Sequence, residues 1–317
     1  MKAVVVRQTG DSSVLQIGER PIPQATTDQS VIKIHAFGVH RYEVLTRQTG
    51  WPAVTFPRVL GVEAVGVIEQ SSTNGHFMKG QRVVTLMGGL GHDVDGSYQE
   101  YALIDDKNIY PTSLDGDYTQ LATYPENFYT AFGALQHARV SAGHSILVRG
   151  ATSTVGLAMI QLGQAMGLTV IGTSRRKEML PQLIKLGANQ VVLDKDNQLQ
   201  TDEQFDAVFD MVGIATMNDS IKHVTDGGAV TMIGALAGGW AVDSFSPYEL
   251  KNKFLIFFSS DAVDSRLLNQ MFKLIQENHL KIPIAKVFEL EDIAQAQDYV
   301  MNSHELGQVI VTTDKKD

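Results

Sequence analysis

The chain has 317 residues, of which 44% are apolar and 19% charged, with a formal net charge of -9 and no cysteine. That length and apolar share allow two domains, or one large one, with an ample core, and exclude a disordered chain. The acidic balance argues against nucleic-acid or anionic-membrane binding, and the lack of cysteine removes disulfides, thiol nucleophiles and cysteine-built zinc sites.

Strands dominate the opening third. Residues 2–7 and 14–20 read as strands flanking a turn at Gly10-Asp11, and Pro21 and Pro23 then stop regular structure. Met1 to Val6 enters the first strand without the longer apolar core of a signal peptide. No apolar run approaches the roughly 20 residues of a membrane span, so the cytoplasm is the expected compartment. Ser30 to Phe37 is β-prone, and Gly38-Val39-His40-Arg41-Tyr42-Glu43 begins a short helix ending near Gly50-Trp51-Pro52. A strand pair within Pro57 to Ile68 carries Gly61-Val62-Glu63 and Gly66, and further strands are expected over Arg82–Val84 and Tyr98–Ile104. Many short strands divided by Gly and Pro suggest a small barrel-like domain over residues 1–117.

From about residue 118 helices and strands alternate: 125–138, 145–148, 155–166, 169–173, 177–186, 190–193, 206–210, 215–224, 228–233 and 252–258. Such alternation implies a doubly wound parallel α/β sheet, the Rossmann arrangement, over 118–262. A helix at 263–278, the segment Ala285–Leu290, a helix at 291–302 and a strand at 308–312 are placed back on the first domain, as residues 263–317.

The second region holds a dinucleotide-binding pattern. Ile146-Leu147-Val148 is an apolar run without polar alternation, as suits a strand covered on both faces. Ala151-Thr152-Ser153-Thr154-Val155-Gly156 follows, at the start of a helix, where free N–H groups and the helix dipole favour a pyrophosphate. Aligned on Gly156, the first two positions of G-x-G-x-x-G hold Ala151 and Ser153. The second strand ends in Ser174-Arg175-Arg176-Lys177, with no carboxylate until Glu178. A carboxylate there would grip the ribose of NAD; three cations and a hydroxyl suit the extra phosphate of NADPH.

The order of these pieces resembles the medium-chain dehydrogenase/reductase superfamily, in its zinc-free, zeta-crystallin-like NADPH:quinone oxidoreductase branch. The resemblance rests on Met1-Lys2-Ala3-Val4, Gly38-Val39-His40, Leu60 to Gly66, Gly96-Ser97-Tyr98-Gln99-Glu100-Tyr101, Thr130-Ala131-Phe132, Gly150-Ala151 with Val155-Gly156, Leu186-Gly187-Ala188, Asp210 to Gly213 and Gly307 to Ile310. It implies a GroES-like β-barrel domain formed from both chain ends, a Rossmann domain between them, and hydride transfer from NADPH to a quinone or activated alkene. It further implies Thr130 at the nicotinamide, residues 150–156 at the pyrophosphate, and Ser174 with the cations after it at the 2′-phosphate. The implied cofactor contacts take in Gly234 and Phe257. Where many relatives carry Tyr, this chain has Lys195. Relatives dimerise through a Rossmann edge strand, for which Phe254 to Phe258 is the candidate.

Zinc-dependent cousins use Cys or His at three positions, the middle one in Gly-His-Glu. Here that motif is Gly61-Val62-Glu63, and valine cannot ligate. His40 and Glu126 align with the other two positions; with Glu63 they form the lesser alternative, and the expectation is no metal. Reducing a quinone or enone builds charge on oxygen, so a donor is needed there. His40 is the candidate for orienting or protonating that oxygen, given its near-neutral unperturbed pKa. A packed structural His, with water or a backbone N–H as donor, is the alternative. Tyr42, Glu43, Trp51, Tyr129 and Phe132 are candidate pocket walls. Loop 236–247, with Gly238, Gly239 and Trp240, hints at a mobile segment. A zinc-independent alcohol dehydrogenase and a non-catalytic NADPH sensor are the competing functions.

Overall fold

A computed structural model describes residues 1–51, 54–237, 239, 241 and 245–314; Pro52, Gly238 and Trp240, singled out above, lie outside the described residues. The chain forms two compact units.

The first unit comprises Met1–Glu126, Asp261–Phe272 and Pro283–Asp317. Its centre is the strand Gln29–Val39, whose Val31, Ile32, Ile34 and Phe37 are buried. This strand pairs antiparallel with Glu63–Gln70, Tyr101–Asp105 and Gln308–Thr312. The sheet continues through Arg82–Leu86 to Tyr110–Pro111 on one side and through Gln308–Thr312 to Ile284–Glu289 on the other. A smaller sheet joins Ile17–Glu19, Lys2–Val6 and Arg58–Val59. Leu60, Ile68, Tyr98, Leu290 and Ile293 fill one core with the central strand. The C-terminal segment is therefore stitched into the N-terminal sheet, with Val309 opposite Val39.

Two local expectations are corrected in this unit. Residues 14–20 are not one strand: Asp11 accepts from Ser13 N–H at 3.0 Å and starts a 3-10 turn at Ser12–Val14, leaving only Ile17–Glu19 extended. The strand expected from Tyr98 begins at Tyr101, because Tyr98 hydrogen-bonds through its N–H to Leu60 and through its C=O to Val4.

The second unit, Asn127–Ser260 with Lys273–Ile282, holds the doubly wound sheet. Strand order is Gln198–Leu199, Gln190–Lys195, Thr169–Ser174, Ser145–Arg149, Phe205–Asp210, Val224–Met232, Phe254–Phe257, all parallel except the short first strand. The winding reverses between Ser145–Arg149 and Phe205–Asp210, the switch point outside whose carboxyl ends such sheets bind ligands. Ile146, Leu147 and Val148 are fully buried, as a strand covered on both faces requires. The single helix expected over 177–186 is a 3-10 turn Lys177–Met179 followed by the helix Leu180–Lys185, with Pro181 in its first turn, where its missing N–H costs nothing. The units divide after Glu126 and Ser260, and Lys273–Ile282 belongs to the second, where the sequence pattern alone suggests boundaries at 117 and 262 with 263–317 whole. Among the described residues no helix is long and apolar enough to cross a membrane.

Candidate active site

In the first unit, three elements bring His40, Glu63 and Glu126 together. His40 ends the extended segment after Gln29–Val39 and precedes the helix Arg41–Thr49. Glu63 opens the strand Glu63–Gln70, and Glu126 lies in the first turn of the helix Pro125–His137. His40 Nε2 lies 2.7 Å from Glu63 Oε1. The Glu126 backbone N–H donates to Glu63 Oε2 at 2.7 Å. His40 Nδ1 is 3.7 Å from Glu126 Oε2. Glu63 is completely buried, while the His40 side chain retains 9% exposure.

A second carboxylate supports the first. Glu43 accepts from the backbone N–H of His40 at 2.8 Å and of Val62 at 2.9 Å, and from the Tyr98 hydroxyl at 2.7 Å. Gln297 donates to the Tyr98 oxygen at 3.1 Å and accepts from Arg47 Nε at 2.6 Å. Glu43, Arg47, Tyr98 and Gln297 are all buried, so each polar atom needs its partner. The network ties the helix start to the Gly61–Glu63 turn and holds His40 in place.

Electrostatics follow from that burial. Burial disfavours a charged His40, but the charge and hydrogen bond of Glu63, with the charges of Glu126 and Glu43, outweigh it and raise its pKa to about 10. The near-neutral titration expected of an unperturbed histidine is thus displaced. Burial raises Glu43 and lifts Tyr98 well above its usual range. Tyr42, two residues beyond His40, meets Trp51 edge-on at 5.6 Å, and burial with nearby Asp261, Glu43 and Asp93 pushes its hydroxyl up to about 12. Among the described residues no group of three His, Asp or Glu side chains is arranged to hold a metal ion.

In the second unit the expected phosphate-binding residues gather at one end of the sheet. Gly150, one residue ahead of the aligned pattern, has φ +80° and makes the tight turn. Ser153 caps the helix Thr154–Ala165, its hydroxyl accepting from Gly156 N–H at 3.1 Å. A Cβ on Gly156 would lie 2.7 Å from Ala151 Cα and 2.8 Å from Gly150 O, so the third glycine is required for helix-to-turn packing. Ala151 is buried, while Thr152 and Thr154 are partly exposed; the N–H groups of Thr154 and Val155 have no acceptor among the described residues. That cradle fits an anion.

Ser174 is buried at the end of its strand and accepts from Arg176 N–H at 3.1 Å. Arg175 and Lys177 are exposed and Arg176 half-buried; among the described residues none of the three is in an ion pair. Thr130 is buried on the helix Pro125–His137. Gly234 follows the strand Val224–Met232, where a Cβ would lie 2.7 Å from Met211 O. Phe257 ends the edge strand, 60% exposed and paired in register with Met232.

Sequence reasoning missed two groupings. One is the pair of hydrogen bonds that Glu63 shares with His40 Nε2 and the Glu126 N–H, whose only trace in the sequence is a carboxylate opening an apolar strand. Arg149, fully buried, binds Asp194 through Nε and Nη2 at 2.8 and 2.9 Å, and Asp219 and Ser220 through Nη1 at 2.9 and 3.0 Å. Ser220 in turn donates to Asp210 at 2.6 Å.

Comparison with known proteins agrees with both units. Residues 26–114 match the alcohol dehydrogenase GroES-like domain family and residues 186–311 the zinc-binding dehydrogenase family. The chain is 32% identical over 326 residues to a quinone oxidoreductase of Pongo abelii, covering 98% of this chain and 97% of that protein. It is 24% identical over 340 residues to an acryloyl-coenzyme A reductase of Metallosphaera sedula, covering 99% and 100%. The structure of a mycobacterial protein complexed with NADPH superposes with a TM-score of 0.85 at 22% identity, covering 98% and 99%.

Proposed function

Because the chain belongs to the medium-chain dehydrogenase/reductase superfamily, in its quinone oxidoreductase branch, we propose that it is an NADPH-dependent, zinc-independent reductase of quinones or α,β-unsaturated carbonyls. One observation carries the cofactor choice: Ser174 ends the second strand of the Rossmann sheet beside Arg175, Arg176 and Lys177, none of them in an ion pair among the described residues. An unopposed cluster of cations around a hydroxyl matches a phosphate and leaves no carboxylate to prefer a bare ribose. The mycobacterial NADPH complex supports the same choice.

The cofactor, when bound, supplies a hydride. The chain's residues would do the rest. The open N–H groups at Thr154 and Val155 hold the pyrophosphate, with Gly156 keeping the helix close to the turn. Arg175, Arg176 and Lys177 hold the 2′-phosphate. His40 orients the acceptor oxygen through Nδ1, and Tyr42 and Trp51 form an apolar wall with a neutral hydroxyl. Val62 leaves the Gly61-Val62-Glu63 motif without a ligating imidazole. The names of the relatives, quinone oxidoreductase and acryloyl-coenzyme A reductase, frame the acceptor class. The enzyme works as a homodimer paired through Phe254–Phe257.

The test is a cofactor titration followed by an acceptor panel. NADPH is expected to bind at least about tenfold tighter than NADH, about 1.4 kcal/mol, and Arg175→Ala with Arg176→Ala to remove most of that difference. Equal affinities would overturn the cofactor assignment. Failure to oxidise NADPH with any quinone or enone would leave a nucleotide sensor; turnover of simple alcohols alone would leave a dehydrogenase.

A further inference from the structure

The sheet of the second unit carries a cation that the proposed cofactor contacts leave out. Lys195 ends the strand Gln190–Lys195, is exposed, and is in no ion pair among the described residues. Its orientation follows from register. Ser174 pairs with Leu193 across the parallel strands, and successive side chains alternate between faces, so Lys195 stands on the same face as Ser174. Val170, on the strand Thr169–Ser174, belongs to that face as well. A Cβ on Gly163 of the helix Thr154–Ala165 would lie 2.7 Å from Val170 Cγ2 and 3.4 Å from Ile146 Cδ1, so this is the face on which that helix packs. The helix start at Ser153, Ser174 and Lys195 therefore share one side of the sheet.

Lys195 is also held in place. The chain turns back through Asp196 and Asn197, whose φ values of 53° and 61° make a tight hairpin, and Asp194 and Lys195 pair with Leu199 and Gln198. The hairpin is anchored on the opposite face, where Asp194 and Leu199 are buried. Arg149 Nε and Nη2 bind Asp194 at 2.8 and 2.9 Å. Asp219 Oδ2 accepts from the Leu199 N–H at 3.0 Å and lies 2.9 Å from Arg149 Nη1. The backbone that carries Lys195 is thus fixed before any ligand arrives, which lowers the entropy cost of gripping one.

Two residues of strand carry Lys195 about 7 Å past the level of Ser174, one strand over at about 4.8 Å. A flexible four-carbon stem spans that gap to a phosphate held at Ser174. Such a phosphate would meet Arg175, Arg176 and Lys177 along its own strand end and Lys195 from the neighbouring one.

We propose that Lys195 is a specificity-determining residue for the cofactor, a fourth cation that closes the 2′-phosphate site and is aimed there by the hairpin that Arg149 and Asp219 anchor. This deepens the NADPH reading and rests on it. A ribose without the phosphate offers Lys195 no anion, so the residue favours NADPH without tightening the grip on adenosine itself.

The experiment is a calorimetric titration of the intact protein with adenosine 2′,5′-bisphosphate and with adenosine 5′-monophosphate, probes that differ by the 2′-phosphate and need no turnover. Lys195→Gln is expected to weaken the bisphosphate about fivefold and to leave the monophosphate unchanged. Lys195→Arg should keep the wild-type discrimination, and Lys195→Glu, which sets a like charge against the phosphate, should weaken the bisphosphate further. Lys195 is exposed, so these variants are expected to keep the fold. Unchanged binding in Lys195→Gln, or equal weakening of both probes, would overturn the inference, while a wild type that still discriminates leaves the NADPH reading standing. A wild type that binds both probes alike would overturn the NADPH reading and this inference with it.

Discussion

His40 shows how one side chain links stability to pH. Its folded pKa of about 10 lies above the unfolded value near 6.5. The stability it contributes is therefore complete below about pH 6.5 and is lost as pH rises through about 10. Glu43, raised by burial, acts with the same sign. Urea unfolding at about pH 7 and about pH 10 should show a loss of about 2 kcal/mol in the wild type that His40→Asn largely abolishes. Equal losses in both proteins would remove His40 from the linkage. The residue type was plain in the sequence, and its environment was not. Glu63 lies 23 positions away, and only strand pairing sets it against the ring.

At the level of elements, the strand Ser145–Arg149 does two jobs. Its apolar middle is buried on both faces, and its last residue, Arg149, reaches Asp194 at the end of Gln190–Lys195 and Asp219 on the helix Ile214–Lys222. Burial opposes the Arg149 charge, but the hydrogen bond and charge of Asp194, with Asp210 and Asp219, overcome it. This staple stands one residue before the Gly150 turn, so it fixes where the phosphate cradle begins. Arg149→Met would leave Asp194 buried without its partner and is expected to cost about 3–5 kcal/mol. Urea unfolding checks this, and a loss below about 1 kcal/mol would make the staple incidental. The strand and turn were legible as an apolar run followed by small residues. The staple was not, because an arginine ending a strand reads from sequence as a solvated end. The break of 177–186 into a 3-10 turn and a short helix was signalled by Pro181, which the apolar spacing around it masked.

For the whole molecule, the outermost long strand of the Rossmann sheet among the described residues is the proposed site of association. Phe254 and Phe257 are 61% and 60% exposed on that edge, with Leu255 and Ile256 half-buried. An exposed apolar edge invites pairing with a second copy. Phe254→Lys combined with Phe257→Lys is expected to yield a monomer by sedimentation, with the wild type a dimer. A wild-type monomer would reject the edge as the interface.

The sequence by itself determined the fold class, because it arises from local regularities: alternating helices and strands, a buried apolar strand and a turn of small residues; the same turn and three adjacent cations mark the proposed cofactor cradle. The return of the C-terminal segment to the first unit was only partly visible, since Gln308–Thr312 is recognisable as a strand but its pairing with Gln29–Val39 depends on a contact across most of the chain. Tertiary structure alone decided the electrostatics at His40. Its charge is a property of three carboxylates from different elements and of the burial they share, and no spacing along the chain records how far apart those groups end up.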